Sequence, residues 1–247
     1  MAKVMRLIWR LDFPLSHNFL DKLGTVRKIV GETIPNYWNT VTDGPFQYSF
    51  VANYNNINSG LSREMSVELQ SLNGSLTWIS GTDMARVLQT EEFRNTNRII
   101  QELTRTMDVR EVKRIGARFY GMGNFPQGMG RPLQIFSRYI EKRIVDGVEA
   151  ALRGNNDDMA IIFTGKTDAE VSYRVHVGPS SRNDFVTFFQ RSGSGQELEI
   201  FKLNDFSFDI DLFEFNTSFA ERNLFRWATT TLEKAVGVVA VFEKLAS

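Results

Sequence analysis

Two pairs of arginines with the same internal spacing are the residues of this chain best suited to bind an anion. Arg6 and Arg10 stand four positions apart, as do Arg114 and Arg118. Each pair falls in a segment that alternates apolar and polar residues, which predicts a β-strand with both arginines on its polar side. A guanidinium group can bind a phosphate or carboxylate through two parallel hydrogen bonds. The four arginines could therefore hold an anionic ligand, peptide or nucleic acid on one face of a sheet.

The same arginines also have a structural interpretation, in which they pair with carboxylates on neighbouring strands. The acidic residues predicted on the same polar face are Glu64, Glu68, Asp205, Asp209 and Asp211. Opposite charges on adjacent strands stabilise a sheet modestly. The chain has 29 basic and 29 acidic residues, so its formal charge is zero. Because internal neutralisation fits that balance better than a polyanion site does, the sequence favours a ladder of ion pairs, with anion binding as the alternative.

Asp209 and Asp211 have the spacing of the paired carboxylates that hold Mg²⁺ in nucleotidyltransferases. In such enzymes a helix begins at an upstream Gly-Ser pair, so that its N-terminus faces phosphate. Here Gly193-Ser194 has the glycine-rich surroundings of a hairpin tip, and apolar residues alternate with the aspartates over 206–212. That alternation places the aspartates on the wet side of a strand. A metal-dependent nucleotidyl or phosphotransferase is a second alternative, and we predict no catalytic residue, metal or cofactor.

The glycine-rich segment 121–131 is predicted to be a loop that joins a strand to a helix. Backbone amides in such a loop can bind an anion, but Pro126 occupies the position where the dinucleotide-binding fingerprint requires its third glycine. We therefore predict an exposed segment in which Phe125 and Arg131 are candidate contacts for a partner. The alternative is a connector between two structural repeats.

The elements that position these residues are predicted to follow the order β-α-β4-α. In the first half, hydrophobic periodicity indicates a strand before Pro14, a helix from Ser16 to about Thr33, four short strands, and a helix over about 84–107. Asn73-Gly74 predicts a two-residue hairpin between the last two of these strands, since both residues tolerate positive φ.

The second half is predicted to repeat this order. The spacing between matching residues is 114 − 6 = 108 for Arg6 and Arg114, and 193 − 74 = 119 for Gly74 and Gly193. We therefore predict two repeats, residues 1–108 and 109–247, which form one continuous fold. The second repeat has strands near 158–164, 169–177, 184–191 and 197–203, an extra strand over about 204–215, and a final helix whose apolar end should be deeply buried.

Two such repeats side by side would form a curved, mainly antiparallel sheet with helices on one face. This α+β topology resembles the fold of the TATA-binding protein. Two segments, Val112–Tyr120 and Phe208–Phe213, also resemble a large family of prokaryotic proteins with a two-repeat layout. In that family a strand similar to R-I-G-x-R-Y lies in mid-chain, and one similar to D-I-D-hydrophobic precedes the final helix. The resemblance implies this fold and no established activity.

The composition excludes several further classes of function. The absence of cysteine excludes disulfides and thiol chemistry, and two histidines without cysteine cannot form an ordinary zinc site. The longest apolar run, 235–242, is far shorter than the roughly 20 residues of a membrane span. The first residues also lack the apolar core of a signal peptide. We expect a cytoplasmic protein that does not contact membranes.

The sequence predicts a non-enzymatic binding or assembly protein that uses the open sheet face and the 121–131 segment. Its partner would be a protein or another anionic molecule. The first alternative is a nucleic-acid-binding protein that uses the arginine-bearing face. The edge strands of an open sheet also allow homodimerisation.

Overall fold

A computed structural model of the protein describes residues 2–44, 47–52, 60–125, 136–138, 140, 142–153, 159–167, 169–178, 205–218 and 224–244. The strands within these residues are β1 (Lys3–Asp12), β2 (Thr40–Gly44), β3 (Gln47–Ala52), β4 (Leu61–Glu68), β5 (Ser71–Asp83), β6 (Glu111–Asn124), β7 (Ile161–Lys166), β8 (Ser172–Gly178) and β9 (Asp205–Ser218). The helices are α1 (His17–Asp21), α2 (Leu23–Glu32), α3 (Glu91–Thr106), α4 (Lys142–Leu152) and α5 (Leu224–Lys244), with a 3-10 helix over Met84–Gln89.

The nine strands form one antiparallel sheet in the order β2-β3-β4-β5-β1-β6-β9-β8-β7. The predicted α+β class and mainly antiparallel sheet are therefore confirmed. β1 and β6 are the central pair, and β9 lies beside β6 as β5 lies beside β1. The strand predicted over about 204–215 is thus present and occupies this inner place. The strands predicted near 184–191 and 197–203, together with Gly193, lie outside the described residues, and the bounds of the two repeats stay a prediction.

The period of two along β1 separates the two faces of the sheet. Leu7, Trp9 and Leu11 are buried on the face that the helices cover. Arg6 and Arg10 alternate with them and lie on the other face, away from the core to which α1, α2, α3 and α5 contribute. The helices add apolar side chains to the same core, among them Val26, Val30, Phe93, Ile100, Trp227 and Val239. The sheet therefore has one dry face and one face in contact with water.

The predicted hairpin at Asn73-Gly74 is wrong, because both residues lie within β5. Gly74 is paired with Trp9 on β1 and with Met65 on β4, and the chain turns earlier, between Glu68 and Ser71. A Cβ atom at Gly74 would lie 2.6 Å from the Trp9 ring atom Cζ2. The glycine is thus required by the tryptophan that packs over it and not by a turn.

Two helix boundaries also differ from the prediction. The helix expected from Ser16 to Thr33 is divided at Lys22, whose ψ of 23° separates α1 from α2. In the second case Thr90 caps α3 by accepting a hydrogen bond from the Phe93 amide. The segment before Thr90 is a 3-10 helix, which Asp83 caps through the Ala85 amide. None of the described helices has the length and apolar character needed to cross a membrane.

Candidate functional site

The four arginines named from the sequence lie together on the helix-free face, which we call the open face. The strand register gives three successive rows there. In one row Arg118 lies between Ile8 on β1 and Asp211 on β9. In the next, Gly116 on β6 lies between Arg10 and Phe213, and beyond it Arg114 lies between Asp12 and Phe215. The two arginine pairs therefore flank the junction of β1 and β6 at the centre of the sheet.

Arg118 forms a bidentate ion pair with Asp209 on β9. Its Nε donates to Oδ1 at 2.6 Å, and its Nη2 donates to Oδ2 of the same carboxylate. This hydrogen bonding raises the pKa of the Arg118 guanidinium above its ordinary value. The acceptor is the diagonal neighbour of Arg118 and not the residue directly across from it, Asp211.

Arg6 and Arg10 also contact carboxylates. Arg6 reaches Glu64 on β4 across β5, with an Nη2 to Oε2 distance of 3.4 Å, and it also donates to the Ser75 hydroxyl. Arg10 pairs with Asp12 on its own strand, with an Nε to Oδ1 distance of 2.7 Å. Three of the four arginines thus form ion pairs, but only Arg118 pairs with an adjacent strand as predicted. Glu64 is two strands away from Arg6, and Asp12, which was not among the predicted partners, lies on the same strand as Arg10.

Arg114 has a different environment. Its guanidinium carbon lies 5.1 Å from the centre of the Phe213 ring. Its Nε is buried and has no hydrogen-bond partner among the described residues. The Phe213 ring meets the Phe215 ring edge to face, with centres 5.5 Å apart, and Phe215 is 55% exposed. We call Arg10, Arg114, Phe213 and Phe215 the arginine–phenylalanine patch.

Asp211 lies in the adjacent row and is partly buried. Burial raises the pKa of its carboxyl above the ordinary value, although Arg114, Arg118 and Arg174 act in the opposite direction. Arg174 on β8 faces Asp211 in the strand register. Desolvation therefore outweighs the attraction of three nearby cations at this position.

The prediction that Phe125 lies in an exposed loop is wrong. Residues 121–124 belong to β6, and Phe125 is 1% exposed. Its ring centre is 4.9 Å from that of Phe206 and 6.1 Å from that of Phe136, so its side chain is part of the core. Met122 is buried as well. Residues 126–131, including the candidate Arg131, lie outside the described residues.

The two aspartates named for a metal-dependent transferase have different surroundings. Asp209 is held by Arg118, whereas Asp211 lies in the next register row. In the part of the chain that the structure describes, no three His, Asp or Glu side chains are close enough together to hold a metal ion. A metal site at Asp209 and Asp211 would lack a third ligand from these residues.

Sequence analysis missed an apolar groove on the helix-covered face. It has a volume of about 600 Å³ and lies between β7, β8, β9 and α5, where its lining includes Phe163, Tyr173, Val175, Ile210, Val238 and Val241. The final helix was predicted to be deeply buried because its end is apolar nearly all round, yet Val241 is 59% exposed. The same all-round apolar pattern was the signal that could have indicated an uncovered surface.

No protein-family model matches this chain, and a comparison with curated proteins found no match either. Evidence for the function therefore comes from the contacts of the residues on the open face.

Proposed function

We propose that this chain is a non-enzymatic binding or assembly protein whose partner docks on the open face at the arginine–phenylalanine patch. The observation that supports this most directly is the state of Arg114. Its guanidinium is stacked on Phe213, and its Nε is buried without a hydrogen-bond partner among the described residues. A buried donor without an acceptor is costly. A partner that brings an acceptor to this guanidinium would gain a charge-assisted hydrogen bond.

The charges of the open face favour a protein partner over a nucleic acid. On the described strands its arginines are Arg6, Arg10, Arg114, Arg118 and Arg174, and its carboxylates are Asp12, Glu64, Glu68, Asp209 and Asp211. A further cation, Lys166 on β7, pairs with Glu170. A polyanion laid across this face would meet as many carboxylates as guanidinium groups, so it would gain little from counterion release. The pairing of arginine with exposed aromatic rings is typical of the residues that dominate protein interfaces.

The chemistry of the patch defines the partner further. Phe215 offers an exposed apolar contact, and the partly exposed cation Arg114 lies directly across from it on β6. Gly116 lies between Arg10 and Phe213 and has no side chain, so the sheet surface is low there and a partner can approach the backbone. We infer a partner segment in which a carboxylate stands next to an apolar side chain.

We also propose that the chain belongs to the two-repeat prokaryotic family that its motifs resemble, with the TATA-binding-protein-like topology. The support is that the two motifs lie on paired strands. The R-I-G-x-R segment is on β6, the D-I-D segment is on β9, and Arg118 of the first pairs with Asp209 of the second. The two motifs would then correspond to two neighbouring strands, β6 and β9, that are joined by an ion pair.

Affinity capture from extracts, with both protein and nucleic acid fractions identified, tests the proposed function. We expect a protein that is retained by the unaltered chain and lost with the Arg114→Ala/Phe215→Ser variant. The matched control is Arg98→Ala, which removes an exposed arginine from α3 on the helix-covered face and should retain the partner. The proposal is overturned if the double variant keeps every partner, or if salt-sensitive binding to oligonucleotides is the only interaction found.

A further inference from the structure

The apolar groove lies where the second half of the sheet differs most from the first. One register row in the first half runs Tyr48, Val67, Leu72 across β3, β4 and β5. The corresponding row in the second half runs Phe163, Val175, Ile210 across β7, β8 and β9. Both rows are apolar and lie on the helix-covered side of the sheet. The two halves therefore present the same surface to the helices.

Among the described residues, the first of these rows is covered over its whole length and the second is not. Tyr48 is 8% exposed and its ring lies 6.1 Å from that of Phe19 in α1, whereas Phe163 is 49% exposed. α2 follows α1, buries Val26 and Val30, and packs against α3. No described helix covers Phe163 in the same way, and the groove opens at this end of the second row.

The helix at the corresponding position along the second half of the chain is α4, whose apolar side is not buried by any of the described residues. None of the residues of α4 is buried, and none lines the groove. Ile144, Val148 and Leu152 are each four positions apart, so they form one stripe along the helix. All three are exposed, Leu152 by 75%.

The chain reaches the groove on both sides of α4, at Phe136 before the helix and at Phe163 after it. Six positions before the helix, Phe136 is fully buried and stacks on Phe242, with ring centres 6.0 Å apart. Phe242 lines the groove. Beyond the helix the chain enters β7, where Phe163 also lines the groove. A helix tethered on both sides has a high effective concentration at this surface, which favours it over a second copy of the chain.

We propose that α4 is a lid that closes over the apolar groove. In the closed state the stripe of Ile144, Val148 and Leu152 lies against Phe163, Val238 and Val241, and the second half acquires the cover that α1 and α2 give the first. The described structure is the open state. Closure removes exposed apolar surface from both the helix and the groove, which is the driving force for the movement. It also accounts for the apolar outer side of α5.

Site-specific cross-linking tests the lid, because the chain contains no cysteine and introduced thiols are therefore the only ones present. The variant Val148→Cys/Val241→Cys places one thiol on α4 and one at the groove. The matched control Val148→Cys/Val41→Cys keeps the first thiol and moves the second to β2, at the opposite edge of the sheet. Val41, Val148 and Val241 are all exposed, so these substitutions should leave folding intact.

With a short bis-maleimide, we expect intramolecular linking of the groove variant at least tenfold faster than that of the control. Adding Ile144→Asp to the groove variant should slow the linking, because a carboxylate on the stripe opposes burial. Equal rates in groove variant and control overturn the proposal. Links that form only between molecules, at a rate that rises with protein concentration, also overturn it and assign the groove to a second copy.

Discussion

Trp9 on β1 lies directly opposite Ala117 on β6, at the midpoint of the central strand pair. The two residues are 117 − 9 = 108 positions apart, the same spacing that relates Arg6 to Arg114. Outward from this pair, Leu7 faces Phe119 and Leu11 faces Ile115. A rotation of half a turn about the Trp9–Ala117 pair therefore exchanges the two strands, and it brings each arginine pair onto the other.

The first prediction concerns Gly74, over which the Trp9 ring packs. An alanine Cβ at this position would lie 2.3 Å from the Glu64 carbonyl oxygen and 2.6 Å from Trp9 Cζ2. Because neither the strand backbone nor the buried indole can move away easily, we expect Gly74→Ala to lower the free energy of unfolding by about 1–3 kcal/mol. Urea denaturation of the purified variant measures this.

Gly31 in α2 is the matched control. It is exposed, and an added Cβ there meets no atom within 4 Å. Gly31→Ala should stabilise the protein by roughly 0.5–1 kcal/mol, since alanine loses less conformational freedom in a helix. If the two variants had equal effects, the close packing of Trp9 over Gly74 would not be a determinant of stability.

The second prediction concerns the ion pair between Arg118 and Asp209. Its carboxylate is 18% exposed and its guanidinium 43% exposed, so solvent screens part of the attraction. A double-mutant cycle with Arg118→Ala and Asp209→Ala should give a coupling energy of about 1 kcal/mol, the upper end of the range for exposed pairs, because the contact is bidentate.

The pair Lys28–Glu32 on α2 provides the comparison. Its Nζ to Oε2 distance is 3.9 Å and both side chains are well exposed. A parallel cycle there should give no more than about 0.5 kcal/mol. A larger coupling on the helix than on the sheet would contradict the structural role assigned to the open-face pair.

The third prediction is a dependence of stability on pH that arises from Asp211. Burial raises the pKa of this carboxyl in the folded protein above its ordinary value of 3.8. Between the two values the folded protein binds more protons than the unfolded chain, so stability falls as pH rises through this window and the loss persists above it. Asp211→Asn removes the cost of burying a charged carboxylate, so this variant should be more stable than the original protein at about pH 7.

Urea denaturation from about pH 3 to pH 7 distinguishes this pH-dependent effect of the carboxyl from an effect of the substitution that is the same at every pH. The difference between Asp211→Asn and the original protein should be small below the ordinary pKa and grow as pH rises. A constant difference across the range would show that the carboxyl titrates alike in both states.

The fourth prediction concerns Tyr37, whose hydroxyl is buried near α3. It donates a hydrogen bond to the Glu92 carbonyl at 2.9 Å and contacts the Thr96 hydroxyl at the same distance. Tyr37→Phe removes both of these hydrogen bonds from a buried site and should cost about 1 kcal/mol at neutral pH. Thermal or urea unfolding of the variant checks this.

Tyr37 also predicts a change at alkaline pH. Burial raises the pKa of its hydroxyl above 10.0, so above that pH the unfolded chain loses the proton first and stability falls. Tyr37→Phe has no hydroxyl to ionise, so its free energy of unfolding does not fall in this way. The difference in stability between this variant and the original protein should therefore shrink between about pH 9 and pH 11. A difference in stability that grows over this range would contradict the raised pKa of the Tyr37 hydroxyl.

Alternation of apolar and polar residues was sufficient to predict β1 and β9 and the face on which each of their residues lies. In β1 and β9 one face is covered and the other is open, so a period of two fixes which residues point into the core. It could not identify the ion-pair partners. Arg118 stands near both Asp209 and Asp211, and only the three-dimensional arrangement shows that the diagonal carboxylate is the acceptor.

Glycines caused the two errors on strands β5 and β6, because local sequence does not show what packs over them. Gly74 lies under Trp9, which is distant in the chain. A Cβ at Gly121 would lie 2.5 Å from the Phe208 ring, and one at Gly123 would lie 2.3 Å from the Phe206 ring. These positions suggested a turn and a loop, yet each glycine makes room for an aromatic side chain within the sheet. The extension of β6 that results draws Phe125 into the core.

The central place of β1 has a consequence for how the chain is made. β1 precedes both of its neighbours in the chain, β5 (Ser71–Asp83) and β6 (Glu111–Asn124). During translation, Leu7, Trp9 and Leu11 cannot be covered on both sides until the chain has been synthesised as far as Asn124. Such distant contacts slow folding. Until then the growing chain exposes the apolar side of β1, and exposed apolar surface of this kind favours aggregation of folding intermediates.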